Sequence, residues 1–241
     1  MSGREERQRM KLHFLAYVVL AVISSGLIVG GGCSDPSEQL DSPDALKRIE
    51  AIRALGKQGG SAAAEGLAKA AGHEDAMTAR AAVLALSAID YPSAQAALKE
   101  VVASDPRGSV RALGVMALAR AARDAAARKE AAEVMRRVVR GDQAEMVRAE
   151  AAGALGKVGS VEDVDLLVEV TGMDRSKMVI SRAAGAVDRL LGVKFRYDPT
   201  APRKKREERL RVIREVAPAI ARKRMMFRPD PERNPHKEVK P

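Results

Sequence analysis

Aromatic residues and cysteine are scarce in this sequence. Its 241 residues include no tryptophan, three tyrosines, three phenylalanines and a single cysteine, Cys33. One cysteine excludes an intramolecular disulfide, and three scattered histidines with one cysteine do not supply a usual zinc site. A β-sandwich or barrel fills its core with aromatic and β-branched residues. The abundance of alanine and leucine instead predicts an all-α fold of closely packed helices.

The excess of positive charge is confined to the two ends of the chain. The formal net charge is +10, yet residues 33–202 carry 24 Lys/Arg and 24 Asp/Glu. Residues 203–241 carry 14 Lys/Arg and 6 Asp/Glu. The central body is therefore neutral, and the overall basic character does not predict a nucleic-acid partner.

Residues 1–32 have the organisation of a targeting segment. Basic residues precede an apolar run over residues 14–29, and Gly30-Gly31-Gly32 leads directly to Cys33. This arrangement resembles a bacterial lipoprotein signal, in which the cysteine receives a diacylglycerol group and the chain is cut just before it. The departure from that family is Gly30, which stands where leucine is usual. The resemblance implies that Cys33 is lipidated.

An uncleaved membrane anchor is the alternative, because the apolar run approaches the lower length limit for crossing a bilayer. Both alternatives place the body outside the cytoplasm, at the periplasmic face of a bacterial membrane, since positive charge precedes the apolar run. Met10 opens a more typical signal than Met1, so translation from either residue stays open. The polar, proline-bearing residues 33–43 are predicted to form a linker.

Internal repetition is the strongest signal in the sequence. Residues 46–59 (LKRIEAIRALGKQG) align without a gap with residues 146–159 (MVRAEAAGALGKVG). Alanine followed by leucine or valine recurs at 54, 85, 117, 154 and 186, which gives spacings of 31, 32, 37 and 32 residues. Each unit consists of an alanine-rich helix, a turn, a second amphipathic helix and a polar loop. Such units bury their apolar faces by stacking on one another.

The second helices of the units are predicted from helical periodicity and N-cap residues. Their predicted ranges are 61–71, 93–103, 124–139 and 161–171. The residues expected to cap them are Ser61, Ser93, Asp124 and Ser160.

The repeating motif resembles the HEAT-repeat superfamily, in particular the short HEAT-like repeats named after phycobilisome lyases. The resemblance implies an α-solenoid of about five helical hairpins over residues 44–192, the last hairpin incomplete, followed by a C-terminal capping helix. In that family the recurring arginine bonds acidic groups or carbonyls of the adjacent unit. Arg48, Arg111 and Arg148 are therefore expected to be structural. Gly56, Gly114 and Gly156 are expected to serve packing and turns.

The region after the repeats, residues 193–225, is predicted to close the stack. Phe195 and Tyr197 are expected to cover its exposed end. Residues 203–224 have one apolar stripe on an otherwise charged helix, and Pro218 is expected to kink or end that helix. A basic patch on this helix is the candidate surface for anionic lipid or polyanion. Its residues are Arg203, Lys204, Lys205, Arg206, Arg222, Lys223 and Arg224. Residues 226–241, rich in proline and charge, are predicted to be disordered.

The sequence offers no nucleophile, base and metal ligand set that would come together in a catalytic site. No enzyme activity and no cofactor are predicted. The leading hypothesis is a membrane-anchored scaffold that binds an unidentified protein partner through the concave face of the solenoid. The alternative is anionic lipid or polyanion binding through the basic C-terminal helix, which predicts a steep dependence on salt.

Overall fold

The computed structural model describes residues 35–226. The predictions for Cys33, for the apolar run 14–29 and for the tail 227–241 lie outside this range. The described residues form ten α-helices and two short 3-10 helices, Pro36–Gln39 and Val161–Asp163. The α-helices are α1 (Ala45–Gln58), α2 (Gly60–Ala71), α3 (Ala76–Leu86), α4 (Pro92–Ser104), α5 (Gly108–Ala121), α6 (Ala125–Gly141), α7 (Glu145–Val158), α8 (Val164–Met173), α9 (Lys177–Leu191) and α10 (Arg203–Met226).

The helices alternate between two layers. The odd-numbered helices, called the first helices, pack side by side in chain order: α1 on α3, α3 on α5, α5 on α7 and α7 on α9. Each even-numbered helix from α2 to α8, called a second helix, packs against the first helix of the following unit. Stacked helical hairpins in two layers are an α-solenoid, so the predicted fold class is confirmed.

The core between the layers is built from alanine, leucine and valine. The leucine or valine of each recurring pair is buried in every unit. These residues are Leu55, Leu86, Leu118, Leu155 and Val187. Small side chains let the first helices approach closely, which is why the sequence needs few aromatic residues to fill its interior.

Two of the four predicted N-caps are correct. Asp124 accepts a hydrogen bond from the Ala127 amide, and Ser160 forms a capping box at the 3-10 helix before α8. Ser61 lies within α2, because the chain turns at two glycines of positive φ and the helix starts at the second of them, residue 60. Ser93 lies within α4, because Pro92 opens that helix and places the N-cap at Tyr91.

Part of the predicted linker 33–43 is packed against the first unit. The 3-10 helix Pro36–Gln39 contacts α1, and the Leu40 side chain after it is buried. The carbonyl oxygens of Ser42 and Pro43 accept hydrogen bonds from Arg48. Leucine in an otherwise polar stretch was the signal for this packing.

The long C-terminal helix completes the fifth hairpin, which was expected to be incomplete. α10 packs against α8 and α9, as α4 packs against α2 and α3. Pro218 does not end α10, which continues to Met226. Packing of Ile213, Ala217 and Ala221 in the core holds the helix on both sides of the proline.

The segment between α9 and α10 is also fixed to the stack. Phe195 is buried, its amide donates to the Asp188 carboxylate at 3.0 Å, and Tyr197 packs half-buried against the core. Among residues 35–226, no helix combines the length and the apolar character that crossing a bilayer requires.

Candidate functional site

The three arginines predicted to be structural occupy equivalent places in their units. Arg48, Arg111 and Arg148 are the fourth residues of α1, α5 and α7. In each, Nη1 donates to the carbonyl oxygens six and five residues earlier, at 2.7–2.8 Å and 3.2 Å respectively. These bonds tie the loop before each first helix to the helix itself.

The same guanidinium groups reach forward to an acidic residue in the loop before the next first helix. Arg111, for example, donates from Nε and Nη2 to the Asp142 carboxylate at 2.9 and 2.8 Å. The three pairs are Arg48–Asp75, Arg111–Asp142 and Arg148–Asp174. We call this series of pairs the arginine ladder. It links the first, third and fourth units to their successors.

Ladder carboxylates have lowered pKa values. Burial acts to raise the pKa of Asp142 and of Asp174, but hydrogen bonds from their arginines and from backbone amides outweigh it and bring both below the usual 3.8. The pKa of Asp75 is lowered by hydrogen bonds from the Thr78 hydroxyl and from its ladder arginine. These carboxylates are therefore ionised at neutral pH and balance the arginine charges, which leaves the ladder saturated.

The second unit lacks the ladder arginine, and Arg107 supplies the missing guanidinium from the next unit. The fourth residue of α3 is Ala79, which is fully buried. Arg107 Nη1 donates to the carbonyl oxygens of His73 and Glu74, six and five residues before Ala79, at 2.9 and 3.2 Å. Arg107 Nε and Nη2 donate to the Asp105 carboxylate at 3.0 and 2.7 Å. A guanidinium thus fills the ladder position in this unit also.

The glycines expected to serve packing lie where helices touch. A Cβ at Gly56 would lie 3.2 Å from the Cβ of Ala85, and a Cβ at Gly156 would lie 2.9 Å from the Cα of Ala186. A Cβ at Gly114 would lie 3.0 Å from two valines of α4. Each of these glycines therefore permits a close helix contact.

The repetition of these contacts from unit to unit agrees with the family comparison. The family described as HEAT repeats matches residues 36–119 and 105–188, which together span well over half of the chain. The chain belongs to the HEAT repeat family. Comparison with curated proteins gave no match. HEAT repeats generally mediate protein–protein interaction and are typically non-catalytic, so the family indicates an interaction scaffold.

The outward face of the first helices carries exposed apolar side chains at two positions that recur from unit to unit, the second and the ninth residue of the helix. The second residues of α1, α3, α7 and α9 are Leu46, Met77, Met146 and Met178, which are 73%, 72%, 42% and 40% exposed. The ninth residue of each first helix lies two turns after the second residue, on the same side of the helix. We call the exposed set the apolar face; it consists of Leu46, Met77, Leu84, Met116, Met146 and Met178. In the described range, α2, α4 and α6 expose no large apolar side chain, and α8 exposes only Met173 at its end.

Two glycines open a groove in this face. The ninth residues of the five first helices are, in order, Arg53, Leu84, Met116, Gly153 and Gly185. Where glycine replaces a large side chain, a groove of about 560 Å³ lies across α5, α7 and α9. Gly153, Ala154 and Gly185 contribute little side-chain volume to its lining.

The groove is cationic. Arg120, Lys157 and Arg189 are the thirteenth residues of α5, α7 and α9, so each helix contributes one cation. Arg182 adds a fourth and pairs with Glu150 at 3.1 Å, the one acidic residue of the lining. The lining therefore has an excess of three positive charges. We call this site the cationic groove.

The residues of the predicted basic patch fall into two groups on α10. Residues 203–206 lie near its start and residues 222–224 near its end, separated by about 24 Å at 1.5 Å per residue. Arg206 and Arg224 donate to backbone carbonyls of neighbouring segments, and Arg203 pairs with Glu207 at 2.6 Å. The structure does not bring the seven side chains into one cluster.

The ladder role of Arg107 and the cationic groove were missed by sequence reasoning. The signal for Arg107 was its place two residues after Asp105, the acidic loop residue that follows the second unit, in which the ladder arginine is missing. The signal for the groove was the change from large residues to glycine at the ninth position, visible once all five first helices are aligned. Among residues 35–226, no three His, Cys, Asp or Glu side chains are placed to share a metal ion.

Proposed function

We propose that this chain is a membrane-tethered scaffold, outside the cytoplasm, that docks another protein on the apolar face of its first helices. The observation that carries the proposal is the repeated exposure of leucine and methionine on that face, whereas the second helices α2 to α8 expose a single such side chain, Met173 at the end of α8. Contiguous exposed apolar side chains mark interaction surfaces, and methionine adapts its shape to a partner.

The location of the docking surface follows from what the other surfaces offer. The arginine ladder is saturated by its own carboxylates, so it has little left to offer a ligand. The second helices expose mainly charged residues and alanine. Burial of the apolar face by a partner would contribute about 25 cal/mol for each Å² removed from water.

The tether is supported by the sequence. The basic start, the apolar run 14–29 and Gly31-Gly32-Cys33 favour lipid attachment at Cys33, with an uncleaved anchor as the other form of tether. Positive charge before the apolar run favours a body outside the cytoplasm. The alanine-rich motif with its recurring arginine also favours the short, phycobilisome-lyase-type group of HEAT-like repeats, without implying lyase activity.

A photo-crosslinking amino acid tests the docking face. It is placed in the full chain, in its native membrane, at Met77 or Met146 of the apolar face. Matched exposed positions of the second helices, Lys69 and Glu133, serve as controls. The proposal expects one protein, identified by mass spectrometry, to crosslink from both methionine positions and from neither control. Crosslinking from the control positions alone would assign docking to the other layer.

The mass of the mature protein tests the tether. A mass that starts at Cys33 with added diacylglycerol is expected, and Cys33→Ser is expected to abolish both cleavage and lipid attachment. An intact mass that retains residues 14–29 would assign the uncleaved anchor. Recovery of a mature chain that begins at Ser34 in the soluble fraction would contradict a tether of either kind.

Anionic lipid or polyanion binding by α10 is the second candidate. Ten Lys/Arg and three Asp/Glu lie in this helix, with Val212 and Val216 exposed among them. This function predicts that binding of a fluorescent heparin oligosaccharide falls steeply with added salt. Replacement of the exposed Lys204, Lys205 and Lys223 by glutamine should weaken that binding. Unchanged binding in this variant would remove the second candidate.

A further inference from the structure

The cationic groove has a lining that the structural role of the repeats does not require. Gly185 lies in the middle of α9, and no atom lies within 4 Å of where its Cβ would be. Glycine inside a helix is about 1 kcal/mol less favourable than alanine. Close packing therefore does not explain this glycine, whereas Gly156, in α7, permits contact with α9. Because Gly185 has no side chain, the groove has open space at this position.

We propose that the cationic groove binds a short acidic segment of the partner protein in extended conformation. The proposal rests on the proposed scaffold function and specifies what one part of its surface recognises. An extended peptide needs a trough with few projecting side chains, and Gly153, Ala154 and Gly185 project little across two neighbouring helices. The side chain that lies over Gly153 is Arg182, whose Cδ is 3.5 Å from where a Cβ of Gly153 would be, so a cation and not an apolar group meets the peptide there.

The cations of the groove are spaced for a chain of carboxylates. Packed helices lie 8–10 Å apart, so the groove across three helices is about 16–20 Å long. An extended peptide of about six residues has this length at 3.3 Å per residue. Arg120, Lys157 and Arg189 would then meet acidic side chains at intervals of about three residues.

These cations are available to a ligand. Within residues 35–226, Arg120 and Lys157 make no ion pair, whereas Arg111 and Arg148 of the ladder each share a carboxylate. Arg189 is held by a bond from Nη1 to the Gly153 carbonyl oxygen at 3.3 Å, which fixes its side chain along the groove. The groove thus has a net charge that this part of the chain does not neutralise.

The two ends of the groove differ. Met116, 53% exposed, stands at the ninth position of α5, where α7 and α9 have glycine. It closes the trough on that side with an apolar side chain, so the acidic segment is expected to carry an apolar residue at the end that meets Met116. None of the lining residues is aromatic, and a single-stranded nucleic acid is held by stacking on such residues. The groove therefore favours a peptide over a nucleic acid.

A peptide-binding measurement with matched variants tests the proposal. The probe is a fluorescein-labelled peptide of five glutamates followed by leucine, titrated with the full chain in detergent and followed by anisotropy. Lys157→Glu should weaken binding about tenfold, equivalent to the loss of about one charge-assisted hydrogen bond. Lys57→Glu is the control, because Lys57 is the thirteenth residue of α1, is exposed like Lys157 and changes the net charge equally.

A second pair of variants tests the space in the groove. Gly185→Leu should block the trough and weaken peptide binding by a similar factor. Gly141→Leu is its control, because Gly141 is exposed and also has no atom within 4 Å of its Cβ position. Circular dichroism shows that a variant remains folded.

Equal weakening by Lys157→Glu and Lys57→Glu, or peptide binding unchanged in Gly185→Leu, would overturn the groove proposal. So would tighter binding of a labelled oligothymidylate of the same length. If the peptide fails to bind while Met77 still crosslinks to a partner, the scaffold stands and the groove proposal falls. If the peptide binds as expected while no protein crosslinks to the apolar face, the groove proposal stands and the docking face falls.

Discussion

The replacement of the missing ladder arginine by Arg107 leads to a quantitative prediction. Arg107→Ala removes the ion pair with Asp105, whose side chain is only 5% exposed, together with bonds to the backbone carbonyls of Ala71, His73 and Glu74. Removing one partner of a buried pair costs about 3–5 kcal/mol. The Arg107 side chain is 25% exposed, and Asp105 keeps its bond from the residue 107 amide at 2.8 Å. We therefore expect a loss of about 2–3 kcal/mol, within the range for charged hydrogen bonds.

The ladder role of Arg107 also predicts that a second substitution can restore the stability lost in Arg107→Ala. Ala79→Arg places an arginine at the regular ladder position, with the carbonyls of residues 73 and 74 and the Asp105 carboxylate in reach. In the wild-type background the new side chain meets Arg107, so it should destabilise the fold. Combined with Arg107→Ala, it should restore at least half of the lost stability. The two substitutions are therefore expected to be strongly non-additive.

Chemical and thermal unfolding followed by far-UV circular dichroism measures these changes, since the chain has no tryptophan for fluorescence. For a chain of this size, about 2–3 kcal/mol lowers Tm by roughly 4–12 °C. Arg123→Ala is the control, because its pair with Asp90 is exposed and surface pairs contribute about 0–1 kcal/mol. A double variant no more stable than Arg107→Ala, or a single variant no less stable than the control, would refute the ladder argument.

Three further predictions concern stability. Folding lowers the pKa values of Asp142 and Asp174, so their contribution to stability is present above the unfolded pKa of about 3.9 and is lost as pH falls through the folded values. The midpoint of urea unfolding should therefore decrease below about pH 4 and stay level from about pH 5 to 7. Gly156→Ala should lower the free energy of unfolding by roughly 1–3 kcal/mol, because the added methyl group overpacks the contact with α9. Gly185→Ala should raise it by up to about 1 kcal/mol, because alanine favours the helix and has space there. Equal effects of the two substitutions in urea titrations would contradict this difference in packing. Phe195→Ala should lower the free energy of unfolding by about 3–5 kcal/mol because the ring is buried, and a change below about 1 kcal/mol would show that the segment before α10 is not anchored.

Much of the architecture was predictable because the repeat imposes the same physical demand on every unit. The alanine–leucine pairs mark the buried side of each first helix, so their spacing gave the number and order of the hairpins. Arg48, Arg111 and Arg148 stand at one register position and make equivalent bonds. The sequence repeat is therefore matched by hydrogen bonds that recur at equivalent positions of these three units.

The features that sequence reasoning missed depend on departures from the repeat. Arg107 enters the ladder from the opposite direction, so no alignment of repeat positions marks it. The start of α2 depends on the positive φ of Gly59 and Gly60, which places the N-cap at Gly59, two residues before the predicted cap Ser61. The concave face of the solenoid was the predicted docking surface, and that assignment stays a prediction. The groove arises from two glycines that look like ordinary small residues until the units are compared.

The helix α10 also determines how the stack ends. A repeat stack that stops at an apolar surface can be extended by a second copy, as an unpaired sheet edge can. Here the last described helix has 24 residues, buries Ile213, Ala217 and Ala221 against its own stack, and carries ten Lys/Arg and three Asp/Glu, with Val212 and Val216 exposed among them. Two such ends repel each other over about 10 Å at moderate ionic strength. The charge on the exposed side of α10 therefore opposes the stacking of a second copy on this helix.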